Sequence, residues 1–185
     1  MKGDEEGPTE TCCGVEAGAP TPPSRCPGCG TPGRAVEPVT VKAMLQPAAL
    51  MRLSARGHRF CPAPGCRVVY FGTDEVFHRE EILLPVLQKE PPGERTVCYC
   101  FGITEGEIRR ELAETGRSTA GSRVAALVSA GRCACEVRNP QGSCCLGNLA
   151  AAARTARAER DGNETASREP GAEAAEQQPP LDGAP

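Results

Sequence analysis

The chain has 185 residues, a formal net charge of −3, and 12 cysteines beside 21 glycines and 18 prolines. Leucine, isoleucine, valine and phenylalanine make up only about a sixth of the residues, which excludes one large apolar core. No apolar run approaches the roughly 18 residues that a membrane span needs, so we expect no membrane insertion.

Both ends of the chain are polar and acidic. Residues 1–24 and 154–185 are rich in Gly, Pro, Ala and Glu, a composition typical of disordered tails. The acidic N-terminus has no apolar segment of a secretory signal, so we expect a cytoplasmic protein. In reducing cytoplasm, clustered cysteines bind metal more often than they form disulfides.

Residues 25–90 carry short β-prone runs and are predicted to form a β-rich subdomain. Pro47 suits the first turn of a short helix that ends near Leu53. The polar Pro/Gly segment at residues 90–94 is predicted to be a linker. The predicted strands are Val36–Val41, His58–Phe60 and Val68–Phe71.

Residues 95–153 carry the signals of a helical subdomain. Thr104 and Glu107 have the spacing of a capping box, which favours a helix start at this point. Three helices are predicted: one from Thr104 to Gly116, one capped by Ser122 and ending before Gly131, and one over Leu146–Ala153.

Four cysteines of the first subdomain form two close pairs, Cys26–Cys29 and Cys61–Cys66, separated by about thirty residues. The intervening glycines let the backbone turn its amides toward sulfur. Two such thiolate pairs are typical of a zinc ribbon with tetrahedral coordination, and buried free cysteines are the alternative. His58 lies three residues before Cys61 and could replace a thiolate, whereas His78 has no cysteine nearby in the sequence.

The second subdomain has six cysteines, more than one zinc ion can use. They are Cys98, Cys100, Cys133, Cys135, Cys144 and Cys145. The first and last pairs immediately precede predicted helices, where the helix dipole and free backbone N–H groups stabilise thiolates. Four cysteines on loops at helix ends suit a [2Fe–2S] cluster, and a second zinc site is the alternative.

Other features of the sequence carry weaker signals. Cys12 and Cys13 form a vicinal pair that either binds soft cations such as Hg(II) or Cu(I), or is idle. Neither histidine has a matched nucleophile and carboxylate, and no Gly-rich phosphate loop is present, so no enzyme is predicted. The chain lacks a Lys/Arg cluster and an aromatic platform, which argues against binding of nucleic acid.

Motifs in both subdomains resemble the N-terminal domain of CopZ-type copper chaperones, over about residues 24–150. The second subdomain is also similar to small bacterioferritin-associated ferredoxins. The resemblance implies one zinc ion and one [2Fe–2S] cluster. The motifs are CPGCG at 26–30, VTVK at 39–42, VVYF at 68–71, CYCFGIT at 98–104, GRCACE at 131–136 and NPQGSCCLG at 139–147.

The resemblance also implies ligands by position. The zinc ligands are Cys26, Cys29, Cys61 and Cys66. The cluster ligands are Cys98 and Cys100 with two more cysteines, predicted to be Cys135 and Cys145, with Cys133 and Cys144 as the competing choice. A full-length family member continues into a domain whose Met-x-Cys-x-x-Cys loop carries Cu(I), and here no cysteine follows residue 149.

The expected fold class is α+β, with a small zinc-ribbon-like β half, a small helical [2Fe–2S]-binding half and disordered tails. The expected function is one-electron transfer in the handling of copper or another heavy metal, with a heavy-metal chaperone, transporter or reductase as partner. The alternatives are a thiol-rich buffer or delivery protein for copper or mercury, and a double-zinc interaction module without iron.

Overall fold

The computed structural model describes residues 22–166. The predicted N-terminal tail up to residue 21, with Cys12 and Cys13, and the last 19 residues lie outside the described residues. The first half contains a four-stranded antiparallel sheet in the order β1–β2–β3–β4. Its strands are Arg34–Val36 (β1), His58–Phe60 (β2), Val68–Phe71 (β3) and Val76–His78 (β4).

The core of this half lies between the sheet and two short helices, Pro38–Met44 (α1) and Pro47–Leu50 (α2). All four residues of β3 are buried, so this strand is covered on both faces. Phe60 of β2 lies opposite Tyr70 of β3 in the register of the sheet. The largest side chains of this core are Tyr70, Phe60, Phe77 and Met44.

The strand predicted over residues 36–41 is wrong beyond Val36. The chain turns into α1 at Pro38, whose fixed φ suits the first position of a helix and whose missing N–H weakens a strand. Thr40, Val41 and Met44 are buried, a helical spacing that the β-prone side chains concealed. The strands β2 and β3 have the predicted bounds.

The helix predicted at Pro47 is present as α2, and it ends at Leu50 rather than near Leu53. Between the two halves, residues 90–94 are irregular, as predicted for a linker, but they are held in place. The Gly93 N–H donates to Glu105 Oε2 at 3.0 Å, and Arg109 donates to the Gly93 carbonyl. The linker is therefore fixed to the second half.

The second half pairs a short hairpin with four helices around its own core. Helix α6 packs against α3, α4 and β5. Its core contains Val97, Ile108, Leu112, Val124 and Leu149. The elements are Thr96–Cys98 (β5), Ile103–Thr104 (β6), Glu105–Thr115 (α3), Ala120–Ser129 (α4), Cys135–Arg138 (α5) and Leu146–Ala166 (α6).

The predicted capping box at the start of α3 is confirmed. The Thr104 hydroxyl accepts from the Glu107 N–H at 3.2 Å, and the Glu107 carboxylate accepts from the Thr104 N–H at 3.3 Å. Gly116 ends the helix in the left-handed region with φ 73°, where glycine has no steric penalty.

The start of the next helix differs from prediction. Helix α4 begins at Ala120, so Ser122 lies inside the helix and does not cap it. The carboxylate of Glu111 accepts from both Ser118 Oγ, at 2.9 Å, and Thr119 Oγ1, at 2.5 Å, and so fixes the earlier start. Gly131 follows the end of α4 with φ 67°, as predicted.

The tail predicted from residue 154 begins too early, because α6 continues through Ala166. Ala156 is buried in the helical core, and alanine-rich sequence favours helix. The chain is α+β, with strands in its first half and mainly helices in its second. Among the described residues, no helix combines the length and apolarity required to span a bilayer.

Candidate metal centres

Two turns at the same end of the strands of the four-stranded sheet bring the first four cysteines together. In the first turn, the Cys26 N–H donates to the Thr31 carbonyl at 2.9 Å, and the Gly30 N–H donates to the Cys26 carbonyl at 2.8 Å. Gly30 has φ 72°, a conformation that favours glycine. The loop from β2 to β3 forms the second turn, where the Cys66 N–H donates to the Ala63 carbonyl at 3.3 Å.

The four sulfur atoms have the spacing of a tetrahedral zinc centre. Cys26 Sγ lies 3.8 Å from Cys66 Sγ, Cys29 Sγ lies 3.7 Å from Cys61 Sγ, and all four lie within 4.8 Å of one another. Two thiolates on one tetrahedral zinc ion, with Zn–S distances of about 2.3 Å, lie about 3.8 Å apart. The donor set therefore fits Zn²⁺ in both chemistry and distance.

The four thiols differ in their environments. Hydrogen bonds from the side chain and the backbone N–H of Thr31 lower the pKa of the exposed Cys29 to about 6. Burial raises the pKa of Cys61 to about 12, against a hydrogen bond from the Ala63 N–H that lowers it. Burial likewise raises the pKa of Cys66. At neutral pH the site therefore combines one thiolate with thiols that must lose protons when metal binds.

Neither histidine belongs to this site. His58 is buried, and its Nε2 bonds to Glu75 Oε1 at 2.8 Å. The same carboxylate oxygen accepts from Ser54 Oγ at 2.7 Å. His78 lies at the surface beside Glu81. The replacement of a thiolate by His58, which the sequence left open, is therefore wrong for this structure.

Three loops bring the second set of cysteines together. Cys98 ends β5, and Cys100 lies in the turn to β6. Cys135 is the first residue of α5, and Cys145 immediately precedes α6. Cys98, Cys135 and Cys145 are buried, and Cys100 is half-buried.

Within this set the thiols meet in two pairs. Cys100 Sγ lies 3.8 Å from Cys135 Sγ, and Cys98 lies close enough to Cys145 to raise the pKa of the Cys145 thiol. A backbone N–H also faces sulfur, because Ala134 donates to Cys100 Sγ at 3.4 Å. Burial raises the pKa of Cys135 to about 12, and it raises the pKa of Cys145.

The competing ligands, Cys133 and Cys144, are not among these paired thiols. Cys133 is half-buried and Cys144 is exposed, and neither has a thiol bonded to it in the described part of the chain. Of the predicted cluster residues, the structure thus brings together Cys98, Cys100, Cys135 and Cys145.

Two residues that the sequence analysis did not single out contact the first site. Thr31 lies two residues after Cys29, so the knuckle spacing itself could have indicated its N–H as a donor to sulfur. Lys89 donates from Nζ to the Ala63 carbonyl at 2.7 Å. It lies 23 residues beyond Cys66, and no local pattern marks it.

Comparisons with known proteins place the first site in a family. Residues 23–83 match the family model of the CopZ type that is described as a zinc binding domain. The copper chaperone CopZ of Archaeoglobus fulgidus is 34% identical over 126 residues, which cover 68% of this chain and 59% of the relative. This chain therefore spans about three fifths of the length of that curated relative.

The described fold is similar to a solved structure of an Archaeoglobus fulgidus protein. The X-ray structure of the N-terminal domain of Archaeoglobus fulgidus CopZ is 32% identical with a TM-score of 0.57. The match covers 69% of this chain and 95% of that domain. The likeness thus extends over both halves of the described chain.

Proposed function

We propose that the chain is a metal-handling accessory protein with two metal centres, because residues 23–83 match the family model of the CopZ-type zinc binding domain. One is a structural zinc ion on Cys26, Cys29, Cys61 and Cys66. The other is a [2Fe–2S] cluster on Cys98, Cys100, Cys135 and Cys145. The observation that supports the [2Fe–2S] cluster is the arrangement of these four thiols in two pairs.

Two pairs favour a two-iron cluster over a second zinc ion. A single tetrahedral ion draws four sulfurs into one group, as in the first site. In the described part of the chain, only the first site has three or more ligand atoms within 4.8 Å of one another. A [2Fe–2S] cluster has four cysteine ligands on two irons, which is compatible with separate pairs.

The protein supplies an apolar, hydrogen-bonded setting for this centre. Cys98 and Cys145 belong to the buried core of the helical half, beside Val97 and Leu149. The backbone N–H of Ala134 donates to Cys100 Sγ, and such bonds tune a reduction potential. When bound, the cluster supplies one-electron chemistry, which needs no catalytic side chain from this chain.

The proposed role is one-electron transfer in the handling of copper or another thiophilic metal. The relative is named a copper chaperone, and this supports a partner among heavy-metal chaperones, transporters or reductases. The ten cysteines of the described chain are free thiols, which suits a reducing compartment such as cytoplasm. We assign no enzymatic reaction to the chain by itself.

The test is the visible spectrum and metal content of anaerobically purified protein, before and after dithionite. We expect one zinc and two irons per chain, with bands between roughly 320 and 600 nm that bleach on reduction, as for cysteine-ligated clusters. Cys135→Ser should weaken these bands, whereas the matched Cys133→Ser variant should retain them.

A protein that stays colourless after reconstitution with iron and sulfide would contradict the cluster assignment. Two zinc ions per chain would then favour a double-zinc interaction module. Equal spectral changes in Cys135→Ser and Cys133→Ser would contradict the choice of ligands while leaving the cluster itself in place.

A further inference from the structure

Lys89 is a buried lysine without a carboxylate partner among residues 22–166. Only 5% of its surface is exposed, although lysine is almost never buried unless it is paired. Its acidic neighbour, Glu90, pairs instead with Arg79 at 3.7 Å. The positive charge of Lys89 must therefore be compensated in another way.

The ammonium group of Lys89 is directed at the second zinc knuckle. Nζ donates to the Ala63 carbonyl at 2.7 Å, and the same oxygen accepts from the Cys66 N–H at 3.3 Å. Ala63 lies in the turn between Cys61 and Cys66. Lys89 is thus hydrogen bonded to Ala63, which lies between Cys61 and Cys66 in the chain.

The compensating charge is available at the metal centre. Four thiolates and one Zn²⁺ carry a formal charge of −2, which is costly to hold where two of the four cysteines, Cys26 and Cys61, are buried. Cys61 has no exposed surface, and the Lys89 ammonium group is hydrogen bonded to the turn that follows this cysteine. The buried cation and the anionic centre therefore stabilise each other.

We propose that Lys89 is a positioning residue of the zinc site, which offsets the negative charge of the four-thiolate centre and keeps the second knuckle closed. The inference rests on zinc occupancy of Cys26, Cys29, Cys61 and Cys66. It assigns a function to a residue outside the cysteine motifs. It also explains how the segment that leads into the linker is attached to the first half.

The test measures zinc affinity by competition with a chromophoric chelator, using the full chain. We expect Lys89→Met to bind zinc about 10- to 100-fold more weakly, the usual effect of losing an outer-shell partner of a metal ligand. Lys42→Met is the matched control, because Lys42 is exposed on α1 and its loss changes the net charge equally. The control should stay within about twofold of the unmodified chain.

Two further variants separate charge from hydrogen bonding and guard against misfolding. Lys89→Arg retains the charge and should restore most of the affinity, whereas Lys89→Gln retains only a neutral donor and should not. Substitution with Co²⁺ reports whether each variant keeps a tetrahedral four-sulfur centre.

Equal affinities for Lys89→Met and Lys42→Met would overturn the proposal, as would full restoration by Lys89→Gln. If Lys89→Met does not fold, restoration by arginine and not by glutamine supports the role of charge. Absence of zinc binding by the unmodified chain would refute the zinc site itself, which distinguishes that failure from failure of the Lys89 proposal.

Discussion

Cys29 and Cys61 show how single side chains set the chemistry of a metal site. Both thiols meet at 3.7 Å, yet Thr31 lowers the pKa of Cys29 to about 6, and burial raises that of Cys61 to about 12. Zinc binds thiolates, so the metal must displace protons from the buried thiols. The exposed Cys29 is ionised beforehand and is suited to make the first contact with an incoming ion.

The zinc affinity should therefore fall steeply as the pH decreases. At pH 7, both Cys61 and Cys66 must release a proton, and each released proton contributes a factor of about ten per pH unit. We expect a decrease of at least about 100-fold between pH 7.5 and 6.5, measured by chelator competition. Below about pH 6, Cys29 also becomes protonated and the dependence should steepen.

Thr31→Ala provides the control for this prediction. Loss of the Thr31 side-chain hydrogen bond raises the pKa of Cys29. The steeper dependence of zinc affinity on pH should therefore begin at a higher pH in this variant. An affinity that changes less than tenfold per pH unit around neutrality would contradict the assignment of buried, protonated thiols.

At the scale of elements, local chemistry determines where α3 begins, whereas a contact with the preceding helix determines where α4 begins. The start of α3 is fixed by two residues three apart, so the sequence predicted it correctly. The start of α4 depends on Glu111, which lies in the preceding helix and binds Ser118 and Thr119. No pattern within residues 118–131 contains that information. The predicted cap at Ser122 is wrong for this reason.

Substitutions at the two serine or threonine positions should therefore differ in effect. Thr104→Ala removes a true cap and should lower the free energy of unfolding by about 1 kcal/mol. Ser122→Ala removes only a hydroxyl that donates to the Thr119 carbonyl at 2.9 Å at the surface, and should cost less than about 0.5 kcal/mol. Urea unfolding of the zinc-loaded chain measures both, and equal costs would contradict the assigned caps.

At the scale of the whole molecule, the two halves are joined by specific polar contacts. The buried Tyr70 hydroxyl of β3 donates to the Pro140 carbonyl at 2.5 Å, and Gln88 donates to Gln141 Oε1 at 2.6 Å. Pro140 and Gln141 lie in the loop between Cys135 and Cys145. The zinc half therefore supports the loop that connects Cys135 in α5 with Cys145 before α6, two of the proposed cluster ligands.

The parts of the architecture that the sequence predicts are those set by local spacing, whereas the contacts between the two halves join residues far apart in the chain. Spacing alone indicated the four cysteines that meet in the first site, because two knuckles with glycine turns specify their own local geometry. The choice of Cys135 and Cys145 rested on a family resemblance, because adjacent or alternating cysteines leave the sequence ambiguous. The contact between Tyr70 and Pro140 joins residues 70 positions apart, and no short motif encodes such a pairing.

Removal of zinc should consequently loosen the loop at residues 139–142 as well as the first half. Structural zinc contributes on the order of 10 kcal/mol to folding, so the paired variant Cys26→Ser with Cys61→Ser should release Tyr70 from its site. We expect backbone hydrogen exchange in this loop to become at least about tenfold faster than in the unmodified chain. Helix α3, which is packed within the second half, should change little.

Tyr70→Phe separates this coupling from general unfolding. It removes the hydroxyl and retains the ring, so zinc should still bind, while exchange in the loop should increase because the Pro140 carbonyl loses its donor. Mass-resolved exchange of the zinc-loaded proteins makes the comparison. Unchanged exchange in the loop of both variants would mean that the second half holds its cysteines without support from the zinc half.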